Sequence, residues 1–195
     1  MSYLPPILRS VQALGYAVFD GPRDFDLNLV AVRSRETHRS PDKYLDDFHV
    51  IWKEDGHWRQ WSAACSTSPG AYYLAHPMRP SEGCAIMAPG QYRGAYKRGL
   101  HKGTECLRQH RPVLFYRDND RDGELDLDES TLRKANTGLH VHRGGRSDRV
   151  GKFSAGCQVL HPDDMLHLVK LCDAQISHNP GWDTFTYTLL DEVQL

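Results

Sequence analysis

Two histidines, His140 and His142, precede Cys157 by seventeen and fifteen positions. Cysteine chemistry runs through the thiolate, and a neighbouring imidazole generates one by taking the proton. Cys157 closes the turn Ser154-Ala155-Gly156-Cys157. Gly156 has no side chain, so a substrate carbonyl can approach the backbone there. The amides of Gly156 and Cys157 are candidate donors to an oxyanion. Ser154 orients the turn or bonds the substrate. His140 and His142 are two apart on a strand-like run, which puts them on one face. Between histidine and cysteine lies a polar, glycine-bearing loop. Its Arg143, Arg146 and Arg149, with Lys152, form a candidate cationic rim for a carboxylate-bearing substrate. The competing reading is a solvated loop and a buried cysteine entering a core strand.

A second cluster is acidic. Asp118-Asn119-Asp120-Arg121-Asp122-Gly123-Glu124-Leu125-Asp126-Leu127-Asp128-Glu129 follows the twelve-residue calcium loop position by position. Asp118, Asp120, Asp122 and Asp126 fall at positions one, three, five and nine. Glu124 offers its backbone carbonyl, Glu129 stands at the twelfth position, and Gly123 makes the sharp turn. The apolar run before it reads as a strand rather than a helix. The expectation is a single structural Ca2+ loop in a β context, not a paired sensor. The alternative is a solvated acidic turn.

The segment His142-Arg143-Gly144, then Val150-Gly151-Lys152-Phe153-Ser154-Ala155-Gly156-Cys157, resembles the signature of L,D-transpeptidase (YkuD-like) catalytic domains. The likeness is specific in order and spacing and covers about two dozen positions. It implies a YkuD-like β-sandwich or barrel. It implies Cys157 as nucleophile and His142 as base, with Ser154 and Gly156 shaping the turn and His140 nearby. The implied substrate is the peptidoglycan stem peptide, attacked at the bond from an L-centre to D-alanine through a thioacyl-enzyme. An amine acceptor then gives exchange or cross-linking, and water gives hydrolysis. Three positions depart from the family pattern: Arg143 replaces a common Gly, Ala155 a common His or Lys, and Val159 a usual Arg or Asn. The loop arginines are the substitutes at hand for that last cation.

These groups need a frame. The runs Leu27–Arg33, Phe48–Lys53, His57–Trp61, Cys84–Ala88, Gln91–Tyr96, Pro112–Tyr116, Leu139–His142, Gln158–Leu160 and Phe185–Leu190 read as strands. Asp55-Gly56 marks a hairpin, and Pro69-Gly70 and Pro89-Gly90 mark turns. Short strands between turn signals predict a mainly β sandwich or barrel. Pro5–Leu14 reads as a short helix within an N-terminal extension over residues 1–26. A longer helix starts at Pro162, with Asp163 and Asp164 at its positive end and Met165, Leu168, Val169 and Cys172 at helical spacing. It follows the cysteine strand directly. The length of 195 residues and the 39% hydrophobic content predict one domain with a real core.

The formal net charge of −1 gives no general attraction for nucleic acid. No apolar run is long enough to insert in a membrane. The start of the chain lacks a basic, then apolar, leader pattern. The expectation is therefore synthesis in the cytoplasm and action at the cell wall or periplasm after release or injection, as for an endolysin or effector. The five cysteines are scattered without a CxxC pair, so neither a disulfide framework nor a zinc ribbon is predicted. Two competing functions stand beside the cysteine enzyme. One is a zinc-dependent peptidoglycan peptidase using His140 and His142 with upstream His38 and Asp46. The other is a non-catalytic, calcium-stabilised binding protein.

Overall fold

The computed structural model of the chain describes residues 3–195. In chain order it runs α1 (Pro6–Ala13), β1 (Asn28–Arg33), β2 (Asp46–Glu54), β3 (His57–Ser66), α2 (Ala71–Ala75), β4 (Cys84–Met87) and β5 (Gly90–His101). It continues with β6 (Thr104–Gln109), β7 (Val113–Asp118), β8 (Arg133–Ala135), β9 (Val141–Arg143), β10 (Gln158–Leu160), α3 (Pro162–His178) and β11 (Thr184–Asp191). The molecule is mainly β. Eight strands close into a barrel in the order β1-β11-β5-β6-β9-β10-β3-β2, with β2 back on β1. The other three strands form a small sheet in the order β4-β7-β8.

Two tight hairpins shape the barrel. Asp55 and Gly56 join β2 to β3 with φ of 51° and 74°, and Lys102 and Gly103 join β5 to β6 with φ of 49° and 76°. Two successive left-handed residues give the turn whose twist matches paired strands. The chain changes sheet at Pro89, since β4 pairs with β7 whereas β5 pairs with β11 and β6.

β1 is buried on both faces because each face has its own cover. Leu29 and Ala31 point into the main core, together with Phe48, Tyr96 and Tyr187. Val30 points outward and meets Leu8 and Val11 of α1, with Ile51 and Leu190. The alternation is the period-two rule of strands applied to a sheet with a helix on its outer side. α3 begins with Pro162 and two aspartates in its first turn. Its Met165, Leu168, Val169 and Cys172 join the main core, and the helix packs against β6 and β9.

The sequence-based boundaries shift in several places: β2 starts at Asp46, β3 runs on to Ser66, and β8 is a strand that was not expected. β5 runs on to His101 and is followed by β6, an element the residue pattern alone did not reveal. β9 starts at Val141 rather than Leu139, because the Leu139 carbonyl accepts the Tyr96 hydroxyl and its N–H is drawn to a side chain. β7 extends to Asp118, which pairs with Cys84. Gly70 is the residue before α2 rather than a turn centre.

Candidate active site

β9 and β10 are adjacent and parallel, with His142 opposite Val159. Parallel neighbours need a long crossover, of a dozen residues or more. Residues 144–157 supply it, which is the physical reason for the histidine-to-cysteine spacing. The crossover is pinned rather than loose. The Val150 N–H donates to the Asp42 carbonyl at 2.9 Å, and the Gly151 N–H donates to Asp42 Oδ1 at 2.7 Å. Arg149 pairs with the same carboxylate at 3.3 Å, and Arg146 pairs with Asp163 of α3 at 2.9 Å.

The crossover ends in the Ser154–Cys157 turn. Ser154 is fully buried. Its hydroxyl donates to the Cys157 carbonyl at 2.7 Å and accepts the Gly156 N–H at 3.0 Å. Ser154 is thus a clamp on the turn. With the Gly156 amide engaged, the Cys157 amide is the donor left for an oxyanion. Gly156 has φ of 133°, and a methyl group there would overlap the Ala85 carbonyl oxygen of β4. Only glycine lets the turn settle against that strand.

Cys157 and His142 line one cavity of about 340 Å³, together with His101, Lys102, Lys152 and Phe153. The Cys157 S–H donates to the Gly138 carbonyl at 3.3 Å. His142 is buried, and its Nδ1–H donates to the Arg143 carbonyl at 2.7 Å. That bond fixes the tautomer and leaves Nε2 unprotonated as the base. His140 has the opposite arrangement: its Nδ1 accepts the Gln109 main-chain N–H at 3.0 Å, so a neutral ring carries its proton on Nε2. His101 joins the two rings. It stacks on His142 at 4.9 Å and lies 5.1 Å from His140, centroid to centroid.

Burial dominates the electrostatics. It pushes the Cys157 thiol up to about 11, against the pull of the His140 main-chain N–H. It drives His142 down to about 4, aided by His101, Lys102 and Arg143. His140 is likewise lowered to about 4 by burial, with His101, Arg108 and His142 adding to it. At neutral pH the resting pair is therefore thiol and neutral imidazole.

The structure thus brings together Cys157, His142, Ser154, Gly156 and His140. Of the four basic residues, Lys152 lines the main cavity, and Arg143 lines a neighbouring one of about 220 Å³. Arg146 and Arg149 do not line either; their carboxylate partners hold the crossover instead. His101 and Lys102 were missed by sequence reasoning. Lys102-Gly103, a two-residue turn between β-rich runs, was the signal that would have placed them at a hairpin tip. His38 bonds Asp191 at 3.0 Å, and Asp46 receives the Thr67 N–H and hydroxyl. Both upstream residues of the zinc reading are therefore engaged elsewhere.

The acidic loop leaves the end of β7. Ligand oxygens of Asp118, Asp120 and Asp126 come within 4.8 Å of one another. Asp118 is buried and raised to about 6, first by burial and then by the carboxylates of Asp126, Asp120 and Asp122. Crowded hard oxygens of one charge suit a divalent cation. Asp122 and Glu129 lie outside this trio: Asp122 Oδ1 accepts the Glu124 N–H at 2.8 Å, and Glu129 accepts the Tyr116 hydroxyl at 3.0 Å.

A mainly β barrel with a cysteine–histidine cavity is the class that fold and site define. Comparison with protein-family models, curated proteins and solved structures finds no match to the chain.

Proposed function

We propose that the protein is a peptidoglycan-acting cysteine enzyme of the L,D-transpeptidase kind. The observation that carries the reading is the shared cavity of Cys157 and His142, with the His142 tautomer set by the Arg143 carbonyl. Substrate is the stem peptide, entering with its scissile carbonyl over Cys157. As the sulfur attacks, His142 Nε2 takes its proton. The Cys157 N–H receives the oxyanion of the tetrahedral intermediate. His142 then returns the proton to the departing amine, the C–N bond breaks and a thioester remains. Water or an amine resolves it, with His142 again accepting a proton. Lys152 and Lys102 at the cavity wall complement a substrate carboxylate.

Asp118, Asp120 and Asp126 are the proposed core ligands of a structural Ca2+, and binding would draw in the Glu124 carbonyl and the side chains of Asp122 and Glu129 from their present partners. The ion neutralises the crowded carboxylates; it has no part in the chemistry. On this reading the enzyme acts at the cell wall, whether reached by release or by injection. No helix of the described residues is long and apolar enough to cross a membrane.

Incubation with purified muropeptides, read by mass spectrometry, tests the reading. Wild type is expected to yield cleaved or exchanged stem peptides, and Cys157→Ala none. Product formation by Cys157→Ala, or its absence in wild type, defeats it. A second reading, a calcium-stabilised binding protein, draws on the raised Cys157 thiol, since a buried structural thiol is also held neutral. Muropeptide binding without turnover by wild type favours that reading.

A further inference from the structure

Three consecutive N–H groups, those of Thr137, Gly138 and Leu139, converge on one atom outside the strand ladders. Gln109 Oε1 accepts them at 3.2, 2.9 and 2.9 Å. The other end of the same amide, Nε2, donates to the carbonyls of Arg111 and Ala135 at 3.0 and 2.9 Å. The Gln109 main-chain N–H supplies the bond to His140 Nδ1. The residue ends β6 and is buried. Every polar atom of its side chain is used, which is costly to undo in a buried place.

The segment held in this way is the one that faces the sulfur. Gly138 carries the carbonyl that accepts the Cys157 S–H, and Tyr96 grips the Leu139 carbonyl from the barrel interior at 3.0 Å. We propose that Gln109 is the positioning residue of this thiol site: its side chain holds residues 137–139 so that the Gly138 carbonyl lies against the sulfur, and its main-chain N–H sets the tautomer of His140. The inference rests on the reading of Cys157 as the nucleophile. Gln109 touches neither the sulfur nor the cavity and acts through the segment. The titratable and charged groups around the sulfur and its cavity are His142 and His140 near β9, His101 and Lys102 at the hairpin tip, Tyr96 on β5, Cys106 on β6, Lys152 on the crossover, and Arg79 and Arg117 at the far wall.

The test is the pH dependence of Cys157 alkylation by iodoacetamide in the folded, full-length protein. Labelling of the Cys157 peptide is read by mass spectrometry, with Cys157→Ala as background, beside muropeptide turnover. The wild-type midpoint is expected to be high, near 11. Gln109→Met keeps the length and removes both ends of the amide. Its midpoint is expected to fall by about one pH unit or more as water reaches the sulfur, while kcat drops by about tenfold or more through lost alignment. Gln109→Glu keeps the acceptor for the three N–H groups but loses both donors, so its midpoint is expected between those of wild type and Gln109→Met. A purely structural role lowers the melting temperature and leaves the midpoint of the folded protein in place. An unmoved midpoint in Gln109→Met, or a midpoint in Gln109→Glu as displaced as in Gln109→Met, overturns the proposal. If Gln109→Met does not fold, Gln109→Asn, one methylene short of the three N–H groups, carries the same expectation and the same refutation. A shifted midpoint beside a wild type that turns over no muropeptide sinks the enzymatic reading and leaves the positioning role standing.

Discussion

At Cys157 burial outweighs the stabilising N–H, so the resting sulfur keeps its proton; on the proposed reading His142 removes it during attack. The base is lowered to about 4 from its usual 6.5. The acid limb of kcat/KM is expected to fall below pH 6.5, where an unperturbed histidine would place it; a limb at or above that value contradicts a buried base. Removing the imidazole in His142→Ala is expected to lower kcat by about 10²–10⁴-fold, the usual worth of a positioned base. Gly156 is the other sensitive residue. Gly156→Ala forces a side chain onto a φ of 133° and against the Ala85 carbonyl. About 2 kcal/mol or more of stability should be lost, from backbone strain and overpacking together; urea titration of the two proteins measures it. That Cys157 and His142 would share a cavity beside the Ser154–Gly156 turn was legible, because their residue types and spacing form a local pattern. His101, Lys102 and Gln109 were not, since their roles come from pairings across the barrel that no local spacing records.

At the scale of elements, parallel pairing of β9 and β10 accounts for the crossover, and the acidic loop for the transition out of β7. Ca2+ binding to the folded loop alone stabilises by mass action, about 2.7 kcal/mol at a hundred times Kd. For a chain of this size that corresponds to a rise in Tm of roughly 5–10 °C. Differential scanning calorimetry of chelator-treated protein should show the rise on adding Ca2+ and its loss in the double variant Asp120→Asn/Asp126→Asn. An unchanged Tm in wild type removes the ion from the account. β2 and the first half of β3, flanking the Asp55-Gly56 turn, and helix α3 with its proline and aspartates were readable from residue pattern. β6 was hidden because Thr104-Glu105-Cys106-Leu107-Arg108-Gln109 mixes charges into a strand whose Cys106 and Leu107 are both buried. β8 was hidden because Arg133-Lys134-Ala135 is short and polar and owes its strand form to pairing with β7.

For the molecule as a whole, the buried histidines set the response to acid. His140 and His142 are depressed from 6.5 to about 4, so the unfolded chain binds more protons than the folded one in that window. Their contribution is present above pH 6.5 and is lost as pH falls toward 4. Without a cation, Asp118 works the other way, since its raised carboxyl, near 6, is protonated first in the folded state. Over these three groups the net excess is about one proton, a loss on the order of 1.4 kcal/mol per pH unit between pH 6 and 4, to which the lowered His49 and His101 add and from which the raised Asp26 and Asp126 subtract. Chemical denaturation across that range measures the slope, and a flat profile contradicts the burial of the two rings.

The barrel is closed by β1 and β11, parallel neighbours at opposite ends of the described chain, with Leu29 beside Tyr187 and Arg33 beside Asp191. A ribosome must deliver every residue from β1 through β11 before that seam can form. Until then β1 and β5 each wait with an unmatched edge, a template for other nascent chains. Pairing across so many intervening residues also makes for slow folding. Production in a cell is thus a race between the emergence of β11 and clumping of the open sheet, and cooler, slower synthesis with chaperones at hand tilts that race toward the native barrel.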